Sequence, residues 1–136
     1  MQPHYHEPMI YTMMLVSGAD SEVTDAEKST IGRVVYSWPS FRDYDRHQLG
    51  ETIRHCRDRL KQDHGLDEAV RHIAEELPAE LYQTAYAAAC EVAAADGESS
   101  FNELTVLRTL QRHLGIPDLA AAAIQHGTAV RHATAD

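Results

Sequence analysis

Two short acidic segments contain the residues of this sequence that could do chemistry. The first acidic turn reads ADSEVTDAE over residues 19–27, and the second acidic turn reads ADGESSFNE over residues 95–103. Both fit Asp-x-Glu-x-[Ser/Thr]-x-x-Glu, a pattern of oxygen donors that suits Ca²⁺, Mg²⁺ or Mn²⁺ better than Zn²⁺. The candidate ligands of a divalent cation are Asp20, Glu27, Asp96 and Glu103, with Glu22 and Glu98 flanking them.

Helix capping is the structural role that the same pattern could fulfil. Thr24 and Ser100 can each cap a following helix, and Glu27 and Glu103, three residues later, would complete a capping box. Capping accounts for these positions without any ligand. The sequence therefore leaves capping and cation binding open for both glutamates.

Asp20 and Asp96 are harder to explain by helix structure alone. Each follows an apolar helix, where the negative end of the helix dipole disfavours a carboxylate. An aspartate that recurs at this place would either accept hydrogen bonds from turn amides or ligate a cation. Both roles remain open from the sequence.

An EF-hand does not explain the acidic turns. Its calcium loop needs glycine at the sixth position and a bidentate glutamate at the twelfth. Counted from the first aspartate, the sixth position is Asp25 or Phe101, and the twelfth is Ile31 or Leu107. A cation held by these turns therefore has a different geometry.

Helices must position the acidic turns, because apolar residues recur at intervals of three and four and no segment alternates with a period of two. The pattern predicts about seven helices in an all-α fold. With 136 residues the chain suffices for one domain over 1–136, with a core over about 9–129 and frayed ends. The expected interruptions are Trp38-Pro39, His64-Gly65, Leu77-Pro78 and Gly115-Ile116-Pro117.

An internal repeat relates the two acidic turns. A shift of 76 residues places five residues on identical ones and aligns apolar positions of the following helix. Each copy reads as helix, acidic turn, helix, so we expect two similar hairpins packed as a pseudo-twofold bundle. The coinciding pairs are Val16/Val92, Ala19/Ala95, Asp20/Asp96, Glu22/Glu98, Glu27/Glu103, Ile31/Leu107, Val34/Leu110 and Trp38/Leu114.

With these motifs the sequence resembles the tellurite-resistance protein B (TerB) family over roughly residues 9–129. The resemblance rests on VAAADGE at 92–98 followed by Asn102-Glu103-Leu104, and on SGADSE at 17–22 with Thr24 and Glu27. It implies a small all-helical module of the bacterial stress response whose acidic surface binds divalent metal. A related module occurs in some membrane-anchored J-domain co-chaperones, so the resemblance does not by itself imply tellurite biology.

Composition excludes several classes of function. Twelve Lys and Arg against 21 Asp and Glu give a formal charge of −9, which repels nucleic acid and anionic membranes. No signal peptide or membrane-spanning run is present, so we expect a cytoplasmic protein with two reduced, buried thiols, Cys56 and Cys90. No glycine-rich phosphate loop, G-x-S-x-G elbow or HExxH motif indicates an enzyme.

Half of the basic residues lie between Arg42 and Lys61, interspersed with acids. This pattern is typical of a solvated helix, but it could also form a docking face with Arg54 and Arg57 as partner-binding residues. The i,i+4 pairs Glu51/His55 and Glu68/His72 are expected to be solvated contacts on one helix face.

The favoured hypothesis is a non-enzymatic TerB-like module that binds a divalent cation, a protein partner, or both, through the acidic turns. The alternative is an interaction, scaffold or co-chaperone-type helical domain without metal. A metal-dependent enzyme at the same carboxylates is the third and least favoured hypothesis.

Overall fold

Seven α-helices build the part of the chain that a computed structural model describes, residues 4–18, 23–95, 97 and 100–135, and no β-strand occurs within it. This confirms the predicted all-α fold. The helices are α1 His6–Ser17, α2 Asp25–Ser37, α3 Leu49–Gln62, α4 Leu66–Glu76, α5 Tyr82–Ala93, α6 Phe101–Leu114 and α7 Asp118–His132. Short 3-10 turns at Pro39–Phe41, Arg46–Gln48 and Ala79–Leu81 connect some of them.

Helices α1 and α5 form the centre of the fold and pack against each other. Every residue of α1 except Glu7 is buried, as expected for a helix that is surrounded by others. Helix α5 contributes small side chains, among them Ala85, Ala88 and Ala89, each with no exposed surface. Small residues let helix backbones approach closely, so the alanine-rich α5 can pack against the bulkier side chains of α1.

The joint after α2 anchors the beginning of α1. Phe41 is buried in the Pro39–Phe41 turn, and its ring lies 5.6 Å from that of His6 and 5.8 Å from that of Tyr44. Trp38 is partly buried against the core, so both aromatic residues of the joint act as core anchors. His6 is only 5% exposed, and α1 begins at this residue. The packed core therefore begins three residues earlier than the predicted start at about residue 9.

The helix bounds agree with the repeat in part. Helix α5 starts and ends 76 residues after α1, and α6 starts 76 residues after α2. Helices α3 and α7 do not keep this spacing. The pseudo-twofold arrangement of the two halves stays a prediction.

Both cysteines are free thiols within the core. Cys56 lies on α3 and Cys90 on α5, with 0% and 4% of their surface exposed. Burial raises the pKa of each thiol to about 12, so both remain protonated at neutral pH. Among the described helices, none has the length and apolar character needed to cross a bilayer.

Overpacking tests the close packing of α5. Because Ala89 has no exposed surface, Ala89→Leu forces extra atoms into a filled core, and we expect the free energy of unfolding to fall by about 1–3 kcal/mol. Ala122→Leu is the control, since Ala122 is exposed on α7 and its replacement should change stability by less than about 0.5 kcal/mol. Urea denaturation measures both, and equal stabilities for the two variants would contradict tight packing at α5.

Candidate functional site

Each acidic turn ends in a capping box. The Thr24 hydroxyl accepts from the Glu27 amide at 3.1 Å, and Glu27 Oε1 accepts from the Thr24 amide at 2.9 Å. Ser100 and Glu103 repeat the arrangement, with 3.0 Å for the hydroxyl contact and 2.8 Å for the carboxylate contact. The capping role that the sequence offers for these four residues is therefore present.

Both capping glutamates carry buried carboxylates. Glu27 is 3% and Glu103 is 5% exposed. An ionised carboxylate can be buried only with compensating partners, and the backbone amide and the positive end of the helix dipole supply part of that compensation. A carboxylate has two oxygens and about four acceptor sites, so capping and cation ligation are chemically compatible roles for one glutamate.

The remaining predicted ligands, Asp20, Glu22, Asp96 and Glu98, lie outside the described residues. Gly97 is described, and its φ of +89° falls in a region that glycine adopts without steric cost. The corresponding residue of the first acidic turn is Ser21, also outside the described residues.

One groove touches the chain at one end of each acidic turn. Its volume is about 350 Å³, and its lining includes Gly18, which directly precedes the first acidic turn, and Asn102 of the second. Leu15, Leu60 and Val106 contribute to its apolar lining. One concave surface is thus lined by a residue next to the first acidic turn and by a residue of the second.

A carboxylate–histidine cluster lies at the edge of this groove. One ligand atom each from Asp63, Glu68 and His72 lies within 4.8 Å of the others, so the cluster could hold a metal ion. Their side chains are 11%, 29% and 36% exposed. Glu68 and His72 form the i,i+4 pair seen in the sequence, but Asp63, at the end of α3, completes the cluster. The pair is therefore more than a solvated contact on one helix face.

Asp63 is held in place by a buried tyrosine. The Tyr11 hydroxyl donates to Asp63 Oδ2 at 2.5 Å, while Asp63 Oδ1 lies 3.0 Å from His72 Nδ1. Burial and the contact with Asp63 raise the pKa of Tyr11, so its phenol stays a donor. The Arg59 guanidinium lies 4.3 Å from the centre of the Tyr11 ring. These contacts fix the orientation of the Asp63 carboxylate.

The basic residues of α3 differ in exposure, with Arg59 partly buried and Arg54 and Arg57 exposed. Arg59 is only 15% exposed and bridges Glu7 at 3.4 Å and Glu76 at 2.6 Å. Arg54 and Arg57 are exposed, as a partner-binding role requires, and that role stays a prediction. His55 pairs with Glu7 of α1, so its contact extends between helices and not only along α3.

A third buried carboxylate, that of Glu91, ties α7 to the core. The side chain of Glu91 on α5 is 7% exposed and accepts hydrogen bonds from Arg131 and, at 2.8 Å, from His132. Arg33 of α2 lies 3.8 Å away. Burial alone would raise the pKa of Glu91, but the hydrogen bonds from His132 and Arg131 hold that pKa below its usual value.

Comparison with known protein families matches the chain over residues 6–126 to the family described as Tellurite resistance protein TerB. The match spans both acidic turns, the α3–α4 junction and the larger part of α7. No curated protein and no solved structure gives a significant match.

Replacement of Glu91 tests the contact between α5 and α7. Glu91→Gln removes the charge that Arg131 and His132 contact, so at neutral pH we expect the free energy of unfolding to fall by about 1.5–3 kcal/mol. The pKa of Glu91 is lower in the folded state than in the unfolded state. The ionised carboxylate therefore stabilises the fold at pH values above its unfolded-state pKa of about 4.3, and this stabilisation is lost as the pH falls through the folded-state pKa.

Urea denaturation of wild type and Glu91→Gln from about pH 7 to about pH 3 measures this difference. The two stabilities should converge towards the acid end. The exposed Glu75, changed to Gln, is the control and should follow wild type throughout. A difference that stayed constant with pH would show that the carboxylate charge is not responsible.

Proposed function

This chain belongs to the Tellurite resistance protein TerB family. From that membership and from the two capping boxes that end the acidic turns, we propose that it is a non-enzymatic stress-response module that binds a divalent cation. The two acidic turns supply the ligands in this proposal, and Ca²⁺, Mg²⁺ or Mn²⁺ is the class of ion that they suit. The proposed ligands are Asp20, Glu27, Asp96 and Glu103, with Glu22 and Glu98 flanking them.

One observation carries the proposal: a buried glutamate occupies the third position of α2 and also of α6, the helices that begin at the ends of the two acidic turns. Glu27 and Glu103 are both nearly inaccessible and both held by a backbone amide. A carboxylate fixed in this way is an oriented oxygen donor beside further acids of the same turn. The groove bordered by Gly18 and Asn102 links the surroundings of the two turns.

The whole-molecule charge supports cation binding. A formal charge of −9 on 136 residues raises the local concentration of cations around the protein. Carboxylates gathered at one place repel each other unless a cation or protons compensate them. A divalent ion would therefore lower the electrostatic free energy of the acidic turns and stabilise the folded chain.

The cysteines support the non-enzymatic part of the proposal. A catalytic thiol needs a lowered pKa and access to its substrate. Cys56 and Cys90 have pKa values raised to about 12 and are buried, so neither is an activated nucleophile.

Thermal unfolding in the presence of metal ions tests the acidic turns. Ca²⁺, Mg²⁺ and Mn²⁺ are titrated separately into wild type and into Asp20→Ala/Asp96→Ala. Binding to the folded state alone raises Tm, and saturation at about 100 times Kd corresponds to about 2.7 kcal/mol. We expect a concentration-dependent rise for at least one ion in wild type and none in the double variant.

Glutamine variants separate cation binding from capping. Glutamine can replace glutamate in a capping box, so Glu27→Gln/Glu103→Gln keeps an acceptor for the N-cap amide and removes the charge. We expect this double variant to fold and to lose the rise in Tm that metal ions cause in wild type. A response to metal that survives in both double variants would overturn the assignment, and the absence of any response in wild type would overturn cation binding by the acidic turns.

A further inference from the structure

The junction between α3 and α4 brings together ligands of a different kind from those of the acidic turns. We propose that Asp63, Glu68 and His72, with His64 as a fourth ligand, form a second metal site that takes a borderline cation of the Zn²⁺ class. This α3–α4 site is composed only of described residues and does not depend on the acidic turns.

The spacing of the ligand atoms matches a single small cation. Asp63 Oδ1 and His72 Nδ1 are 3.0 Å apart, and one oxygen of Glu68 lies within 4.8 Å of a ligand atom of each of these two residues. Zinc binds nitrogen and oxygen at about 2.0–2.2 Å, so two ligands of one ion lie at most about 4.4 Å apart. The three side chains therefore need only a small adjustment to share one ion.

His64 supplies the fourth ligand that tetrahedral zinc requires. Its Nδ1 lies 3.8 Å from the Glu68 carboxylate, and its side chain is 88% exposed and able to rotate towards the site. His64, Glu68 and His72 follow each other at intervals of four residues, which places Glu68 and His72 on one face of α4. Gly65, with φ of +96°, turns the chain between His64 and the helix.

A hydrogen bond from a residue outside the ligand set orients the Asp63 carboxylate. Tyr11 has no exposed surface, and its hydroxyl donates to the Asp63 oxygen that does not face His72. In metal sites such outer contacts orient carboxylate ligands and fix their position. Asp63 is thus held towards His72 before any ion binds.

The ligand types decide the class of metal. Imidazole suits Zn²⁺, Cu²⁺, Ni²⁺ and Fe²⁺, whereas sites built only of oxygen suit Ca²⁺ and Mg²⁺. Two histidines and two carboxylates at the α3–α4 site therefore favour a borderline cation of the Zn²⁺ class, for which Co²⁺ serves as the spectroscopic probe. The acidic turns, which offer oxygen alone, favour the hard cations, so the two sites are separable by the ion used.

Titration with Co²⁺ tests the α3–α4 site, because its absorption spectrum reports the coordination geometry. The full chain, wild type, is titrated with Co²⁺ and then with Zn²⁺ as competitor. We expect one Co²⁺ for each chain, a spectrum of low coordination number, and displacement by one Zn²⁺.

Three variants identify the ligands and their support. His72→Ala and Glu68→Gln should abolish the spectrum or weaken Co²⁺ affinity at least tenfold, while Tyr11→Phe should weaken it by roughly 10–100-fold through loss of the second-sphere contact. His47→Ala is the matched control. His47 is fully exposed and its Nδ1 lies 3.3 Å from Asp45 Oδ1, but among the described residues this pair belongs to no group of three candidate ligands. Circular dichroism verifies that each variant is folded.

Two results would overturn the proposal. Co²⁺ affinity unchanged in both His72→Ala and Glu68→Gln would place the ion elsewhere, and the absence of Co²⁺ binding in wild type would leave the cluster as a hydrogen-bonded junction only. The Asp20→Ala/Asp96→Ala variant should keep the Co²⁺ spectrum, and His72→Ala should keep the response to Ca²⁺, Mg²⁺ or Mn²⁺. The two proposals can therefore fail independently.

Discussion

The packing of α1 against α5 is the contact on which the rest of this fold depends. Every residue of α1 except Glu7 is buried, and α5 buries most of its alanines together with Tyr86. Neither helix has a wide polar face, so neither is stable alone in water. The other helices surround this pair, and their arrangement decides which side chains meet at the surface.

Each buried glutamate described in this fold lies where a helix N-terminus or basic side chains compensate its charge. Glu27 and Glu103 are buried beside helix N-termini, where backbone amides compensate a carboxylate, and Glu91 is buried where Arg131 and His132 reach it. Each of these glutamates is hydrogen-bonded at the end of a helix or between two helices. In a chain with a net charge of −9, such contacts keep the acidic residues from destabilising the compact state.

Tyr11 connects the core to the candidate metal chemistry. Its ring is buried in α1, the Arg59 guanidinium lies on that ring, and its hydroxyl holds Asp63 at the end of α3. One buried side chain thereby fixes a carboxylate at the groove that borders both acidic turns. The position of this carboxylate is a consequence of how α1 packs, because no local sequence feature near Asp63 specifies it.

The helices, their breaks and the two capping boxes can be predicted from the sequence, because hydrophobic period, proline, glycine and the Ser/Thr-x-x-Glu pattern act over a few neighbouring residues. Membership of the TerB family also follows from the sequence, which matches the family over residues 6–126. Three features depend instead on how the helices pack: Asp63 lies beside Glu68 and His72, His6 is buried, and Glu91 contacts α7. These contacts join residues far apart in the chain, and their partners depend on helix packing, which local patterns do not encode.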